Sequence, residues 1–350
     1  MDPKIVLPFL ASLLSFVFAA LVFDQWVRRR HAYQLVWTLG LLFYGIGAGV
    51  DFLASAFGWN QALYRTWYLF GAFGVAAYLG LGTIFLLNRT RFGYFVAFLL
   101  AFGGLISLAF SAARAKEGIP TPGWGIALTV GASLAAAVAV AAATRLERRR
   151  VAPLCVAILG AASLVVVVLT LTASVEAPGY AVTASTGAPN GDAFPAYLRM
   201  LTPPFNITGG LALVFGAIYS AYIFMPKRRV LRPAGTKPLV GPLLRGGAVV
   251  VNFVASLPGA WRAYRAGRLN SRVPATILIA LGGFVPSLTS GLTRLGISWA
   301  YFLGELLGVV LIFVGFLVSI EVFSDLRLPF TRVVLRRRDR GEATEPAEAG

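Results

Sequence analysis

Apolar stretches of about twenty residues recur along this chain, and each ends in a run of arginines or a short polar turn. A bilayer core takes roughly twenty consecutive apolar residues per helical crossing. Ile5 to Val27, closed by Arg28-Arg29-Arg30, is the first stretch of that length. Inside hydrocarbon every backbone N–H and C=O has to be satisfied within the segment, so such stretches fold as helices. An all-α, polytopic membrane helix bundle is the expected fold. Composition agrees, with 58% hydrophobic and 13% charged residues and a mean hydropathy of +0.76, well outside the range of soluble domains.

The pattern predicts about nine spans, at approximately 5–27, 34–57, 63–87, 92–112, 124–144, 152–173, 206–225, 273–293 and 298–321. Arg28 to Arg30, Arg89 with Arg91, Arg145 with Arg148 to Arg150, and Lys227 to Arg229 fall in alternate connections. The other connections are poorer in positive charge. The positive-inside rule then puts the N-terminus outside and the C-terminus in the cytoplasm. Only Lys4 precedes the first apolar run, which exceeds the h-region of a signal peptide, so an uncleaved first helix is expected. The tryptophans agree: Trp26 and Trp37 come out at the inner interface, Trp59, Trp67, Trp124 and Trp299 at the outer one, and Trp261 in a cytoplasmic segment.

A net charge of +17 invites a nucleic-acid reading, but the positive residues sit between the spans and not on one folded face. No nucleic-acid partner is expected. From Lys227 to Arg272 there are ten lysines and arginines and no acid. Within that segment Phe253, Leu257, Trp261 and Tyr264 recur at helical spacing, while Arg262, Arg265 and Arg268 take other faces. The pattern predicts an amphipathic helix on anionic inner-leaflet lipids; a tenth crossing over 247–261 is interrupted by Asn252 and Pro258. Four regions follow: a seven-helix body over 1–226, a basic linker over 227–272, a two-helix hairpin over 273–325 and a polar tail over 326–350 that is partly disordered.

One cysteine, Cys155, and one histidine, His31, exclude an intrachain disulfide, bis-histidine haem and a histidine-rich metal site. No cofactor or metal is expected. Seven helices with an outside N-terminus resemble retinal proteins and receptors, but the seventh span, 206–225, has no lysine for a Schiff base; Lys227 lies beyond it. HExxH, GxSxG and P-loop motifs are absent, as is a paired-carboxylate motif, so no catalytic residue is assigned. Gly45, Gly47 and Gly49, then Gly71, Gly74, Gly80 and Gly82, and the alanine-rich fifth span are expected to let helices approach closely.

Ionisable residues inside the bilayer are costly and are paired or functional. Asp51, Arg65, Arg294 and Glu305 all fall toward the outer side and form the candidate ion-pair or ligand site. Docking of the C-terminal hairpin on the body would pair Asp51 with Arg294 and Arg65 with Glu305. Asp24, Glu321 and Asp325 lie near inner ends, where water reaches them. The segment 174–205 is long for a loop in a compact protein, and Phe194 to Leu201 is expected to form a short turn over the outer mouth.

Arg65-Thr66-Trp67-Tyr68-Leu69-Phe70-Gly71-Ala72, Tyr78-Leu79-Gly80-Leu81-Gly82-Thr83 and Gly216-Ala217-Ile218-Tyr219-Ser220-Ala221 resemble stretches of uncharacterised bacterial multi-pass membrane proteins. That resemblance implies a shared membrane architecture and a place in the bacterial cytoplasmic membrane, with no reaction or ligand attached. The expected function is non-enzymatic: sensory, ligand-binding or membrane-assembly, the last with a membrane-protein partner. The alternative is a carrier for a small or lipid-like solute, which requires a water-accessible cavity lined by Asp51, Tyr44 or Tyr78.

Overall fold

The computed structural model describes residues 2–88, 90–231, 241–293, 300–319, 325–327, 331 and 334–337. The chain is a helical bundle: α1 Pro3–Arg29, α2 Ala32–Phe57, α3 Gln61–Leu86, α4 Phe92–Lys116, α5 Gly123–Leu146, α6 Val151–Thr172, α7 Thr202–Phe224, α8 Gly241–Arg265, α9 Arg272–Thr293 and α10 Ala300–Val318. A short antiparallel ladder joins β1, Asp325–Arg327, to β2, Val334–Arg337. Among the described residues, eight helices are long and apolar enough to cross a membrane: α1 to α7 and α10. The eighth expected span, 273–293, corresponds to α9, whose apolar stretch Arg272–Pro286 is shorter.

Local chemistry sets the helix ends. The Asp2 carboxylate accepts from the Lys4 amide at 2.9 Å, and Pro3 opens α1 where no amide hydrogen is needed. Arg28 and Arg29 occupy its last turn, where the helix dipole favours cations, and Arg28 pairs with Asp24 at 2.5 Å. Asn60 caps α3 by accepting from the Leu63 amide at 2.9 Å. Two helices contain π-helical turns, Tyr68–Gly74 in α3 and Ala127–Gly131 in α5.

The helices divide by how closely they pack. α1 and α2 form a hairpin in which the Ser12 hydroxyl donates to the Gly45 carbonyl at 2.8 Å. α2 lies on α3, where a side chain on Gly47 would come within 3.1 Å of the Gly71 Cα. α3 and α7 touch at Gly80 and Gly209, backbone against backbone, with no room for a side chain on either. α9 and α10 form a second hairpin; a Cβ on Gly282 would lie 2.6 Å from the Gly308 carbonyl oxygen. This hairpin packs through α9 on α7 and through α10 on α1. A core cluster built from Phe18, Leu41, Leu79, Leu213 and Phe316 joins α1, α2, α3, α7 and α10.

One end of the bundle is arginine-rich, carrying Arg28–Arg30, Arg91, Arg145–Arg150 and Lys227–Arg229. The other end is capped by residues 174–205. The cap is held from below: the Tyr64 hydroxyl donates to the Asn190 carbonyl at 2.5 Å and accepts from the Ala193 amide at 3.3 Å. Phe194 stacks on Tyr64 and lies 4.4 Å, centroid to centroid, from the Tyr68 ring. Asp192 pairs with both Arg114 and Arg199, and the Ser107 hydroxyl donates to the Met200 carbonyl at 2.8 Å. The turn expected over Phe194 to Leu201 is a four-residue helix, Ala196–Arg199, with Leu198 fully buried.

α8 connects α7 to α9 at the arginine-rich end. Its apolar stripe is rotated from the sequence pattern. Val250, Val254, Leu257, Trp261 and Tyr264 are exposed, whereas Phe253 turns toward Met225, Ala260 and Val273. The reason is polar: Asn252 accepts from the amides of Val230 and Leu231 and donates to the Leu231 carbonyl, and Ser256 accepts from the Arg228 amide. Those bonds fix which face of α8 meets the preceding strand of chain. Arg262 and Arg265 flank the stripe, with Arg265 over the Trp261 ring at 5.0 Å and Arg268 just beyond the helix.

Candidate functional site

Two places stand out: an apolar slot and a buried polar cluster. The slot is a cavity of about 560 Å³ enclosed by α3, α4, α5, α6 and α7. It begins beneath the cap at Leu201 and Leu128 and reaches Ile84 and Leu154 toward the arginine-rich end. Its volume falls within the 300–1,000 Å³ of small-molecule sites.

The slot exists because α5 turns two kinds of surface to its neighbours. Toward α4 it packs closely: Ser133 sits against Gly104 and Thr144 against Gly93. Toward α6 it offers Ala132, Ala135, Ala136 and Ala139, whose methyl groups are too short to meet Ile158, Ala162 and Val165. The expectation that these alanines draw helices together is corrected on this face. They line a gap. Ala132, Ala135 and Ala139 on one edge and Ala161 and Val165 on the other are exposed, so the slot opens sideways between α5 and α6. The polar groups within it are sparse. The hydroxyl oxygens of Thr129, in the π-helical turn of α5, and Thr208, on α7, have no hydrogen-bond partner among the described residues. Cys155 is buried in the wall.

The polar cluster lies between α2 and α10, away from the slot. The two helices run antiparallel, so Tyr44 on α2 faces Glu305 on α10 and Asp51 faces Tyr301. The Tyr44 hydroxyl donates to the Glu305 backbone carbonyl at 2.6 Å, and the Tyr301 hydroxyl donates to Asp51 Oδ2 at 3.4 Å. Asp51 is 1% exposed, and neither its Oδ1 nor Glu305 Oε2 has a hydrogen-bond partner.

The four ionisable residues singled out in the sequence are thus divided. Asp51 and Glu305 both belong to the cluster between α2 and α10, Asp51 through Tyr301 and Glu305 through its backbone carbonyl. Arg65 does not join them: its guanidinium donates to the carbonyls of Thr170 and, at 2.8 Å, Ala173, capping the last turn of α6. Those carbonyls lack intrahelical donors, which makes them stronger attractors than a distant carboxylate. Arg294, the expected partner of Asp51, lies outside the described residues. No group of three or more His, Cys, Asp or Glu is placed to hold a metal among the described residues. Sequence reasoning missed the slot and Tyr301, and it set Tyr44 on a transport path and not against α10. The spacings Tyr44–Asp51 and Tyr301–Glu305, seven and four residues, put each pair on one helix face and were the available signal.

Tyr78, proposed with Asp51 and Tyr44 as the lining of a transport path, instead meets the Ser163 hydroxyl at 3.2 Å, bracing α3 against α6. No family model matches the chain, no curated protein is similar to it, and no solved structure matches its fold.

Proposed function

We propose that this chain is a non-enzymatic integral membrane protein that holds an apolar, lipid-like ligand in the slot between α5 and α6. The observation that carries the reading is the slot itself: aliphatic walls, a lateral opening where helices face hydrocarbon, and two unpartnered threonine hydroxyls for a ligand's few polar atoms. An apolar cavity binds apolar molecules because the empty walls forgo dispersion contacts. A carrier reading is less well supported. Asp51 and Tyr44 belong to a separate cluster and Tyr78 is bonded to Ser163, so none of the three lines the slot.

In the orientation proposed, the capped end faces outward and the arginine-rich end faces the cytoplasm of a bacterial inner membrane, as the distribution of arginines favours. The exposed stripe of α8, flanked by Arg262, Arg265 and Arg268, then rests on anionic inner-leaflet lipids. Photoactivatable fatty acid, incorporated in membranes bearing the protein, tests the binding reading. Cross-links should concentrate on peptides carrying Leu128 to Ala139 and Leu154 to Val166. Uniform labelling of every lipid-facing helix would remove it.

A further inference from the structure

We propose that the slot holds its ligand by the polar end, and that this end is an uncharged carbonyl group received by Thr129 and Thr208. The inference rests on the slot being a lipid site and adds which class of lipid fills it. No Asp, Glu, Lys, Arg or His lines the slot among the described residues. An ionised head group inside it would have no partner, and a lone buried charge is strongly disfavoured. Phosphate and carboxylate heads are therefore left at the membrane surface. A fatty acid, whose head stays there, reports only that a chain enters.

Two hydroxyls in the slot depart from the local habit of this chain. Thr38, Thr144 and Thr276 each donate to the carbonyl four residues earlier, at 2.8, 2.7 and 2.7 Å, the usual outlet for a helical threonine. Thr129 and Thr208 both line the slot and make no such bond. Thr129 is 2% exposed and sits in the π-helical turn Ala127–Gly131. A buried hydroxyl left without an acceptor is costly. Neither oxygen is open to solvent. Helical threonine holds two rotamers, and a χ1 step exchanges hydroxyl and methyl, which turns the donor into the slot when an acceptor arrives.

The two threonines lie at one level. Thr129 is six residues into α5 and Thr208 six residues into α7. Both helices start at the capped end, where Gly125 meets Tyr197, so each hydroxyl is roughly 9 Å below it. α4 ties the two walls together. A Cβ on Gly103 would lie 2.9 Å from the Pro204 Cα, one turn before Thr208, and one on Gly104 would lie 3.8 Å from the Val130 Cα, beside Thr129. Two donors at one level, on different walls of one cavity, suit a lipid with carbonyl oxygens. A carbonyl accepts and brings no proton of its own to satisfy. The chain then follows the aliphatic walls toward Ile84 and Leu154. Isoprenoid quinones and diacylglycerols share this chemistry.

The experiment offers the delipidated full chain in detergent three probes: a benzoquinone with a decyl tail, dioctanoylglycerol, and dodecyl phosphate. Native mass spectrometry reads what is retained. Wild type should keep about one carbonyl-bearing probe per chain and little dodecyl phosphate, and whichever carbonyl probe it prefers names the source. The Thr129→Val, Thr208→Val double variant keeps the shape of both side chains and should bind about tenfold more weakly. Infrared spectra need no variant: the carbonyl stretch of the carbon-13-labelled probe should fall to lower wavenumber on binding to wild type. An unshifted stretch, equal retention by the double variant, or dodecyl phosphate held as well as the carbonyl probes would overturn the proposal and leave the slot a chain site. Retention of no probe by wild type would remove the lipid reading along with it.

Discussion

The α3–α7 contact and the α5–α6 face are both built from small residues, yet one is closed and the other open. At Gly80 and Gly209 the backbones of α3 and α7 touch. Across Ala132, Ala135, Ala136 and Ala139, α5 and α6 leave about 560 Å³ between them. Small side chains permit close approach without producing it. Between membrane helices apolar transfer supplies no net drive, so packing and hydrogen bonds decide. α7 packs on both α3 and α9, and Gly103 on α4 meets Pro204. α6 makes no comparable glycine contact among the described residues. It is fastened at its cap end by Arg65 on the Thr170 and Ala173 carbonyls, in its middle by Tyr78 on Ser163, and at the arginine-rich end by Val151 and Ala152 in the core.

The largest effect is expected at the closed contact. Gly80→Leu puts a side chain where the Gly209 carbonyl stands, and overpacking of this kind costs about 3 kcal/mol. Thermal unfolding in detergent should show a marked loss. A near-neutral result would mean that α3 and α7 separate as easily as α5 and α6, and the contrast between the two faces would be lost.

The next effect concerns the fastening of α6. Arg65→Gln removes charged donors from two otherwise unsatisfied carbonyls, a loss of about 2 kcal/mol. Hydrogen exchange should rise in the last turn of α6 and leave α2 and α3 protected. If exchange rose instead around Glu305, Arg65 would be acting on that carboxylate as the sequence first implied.

The smallest effect is at the cap. Asp192 is 57% exposed in its pairs with Arg114 and Arg199, so Asp192→Asn should change stability by less than about 0.5 kcal/mol. The cap rests on Tyr64, Tyr68 and Phe194 more than on these charges. A loss several times larger would show that the charges secure the cap.

The spans were legible because hydropathy and arginine placement depend on the bilayer alone, and the turn before α7 was marked by Pro195 and Pro203-Pro204. What lies between helices was harder to foresee. An alanine reads alike whether the opposing side chain reaches it or stops short, so Ala132 to Ala139 carried no sign of a gap. Asp51 and Glu305 were recognisable as costly residues in lipid. Their common cluster depends on Tyr44 reaching a carbonyl 261 residues away, and no local pattern encodes that. Arg65 was assigned to the wrong acceptor because the carbonyls at a helix end do not show in a sequence. The position of Phe253 followed from Asn252 and Ser256, whose backbone bonds outweighed the apolar periodicity of α8.

The most direct measurement is native mass spectrometry of the full chain released from mild detergent, wild type beside Ala136→Phe. Ala136 lines the slot and is only partly exposed, so a phenyl ring there occupies the space the ligand needs. Wild type should retain about one bound lipid-like molecule per chain, and the variant should lose it while keeping its thermal stability within about 1 kcal/mol, since the ring fills existing space. Equal retention of the same molecule by both proteins would contradict a ligand site between α5 and α6.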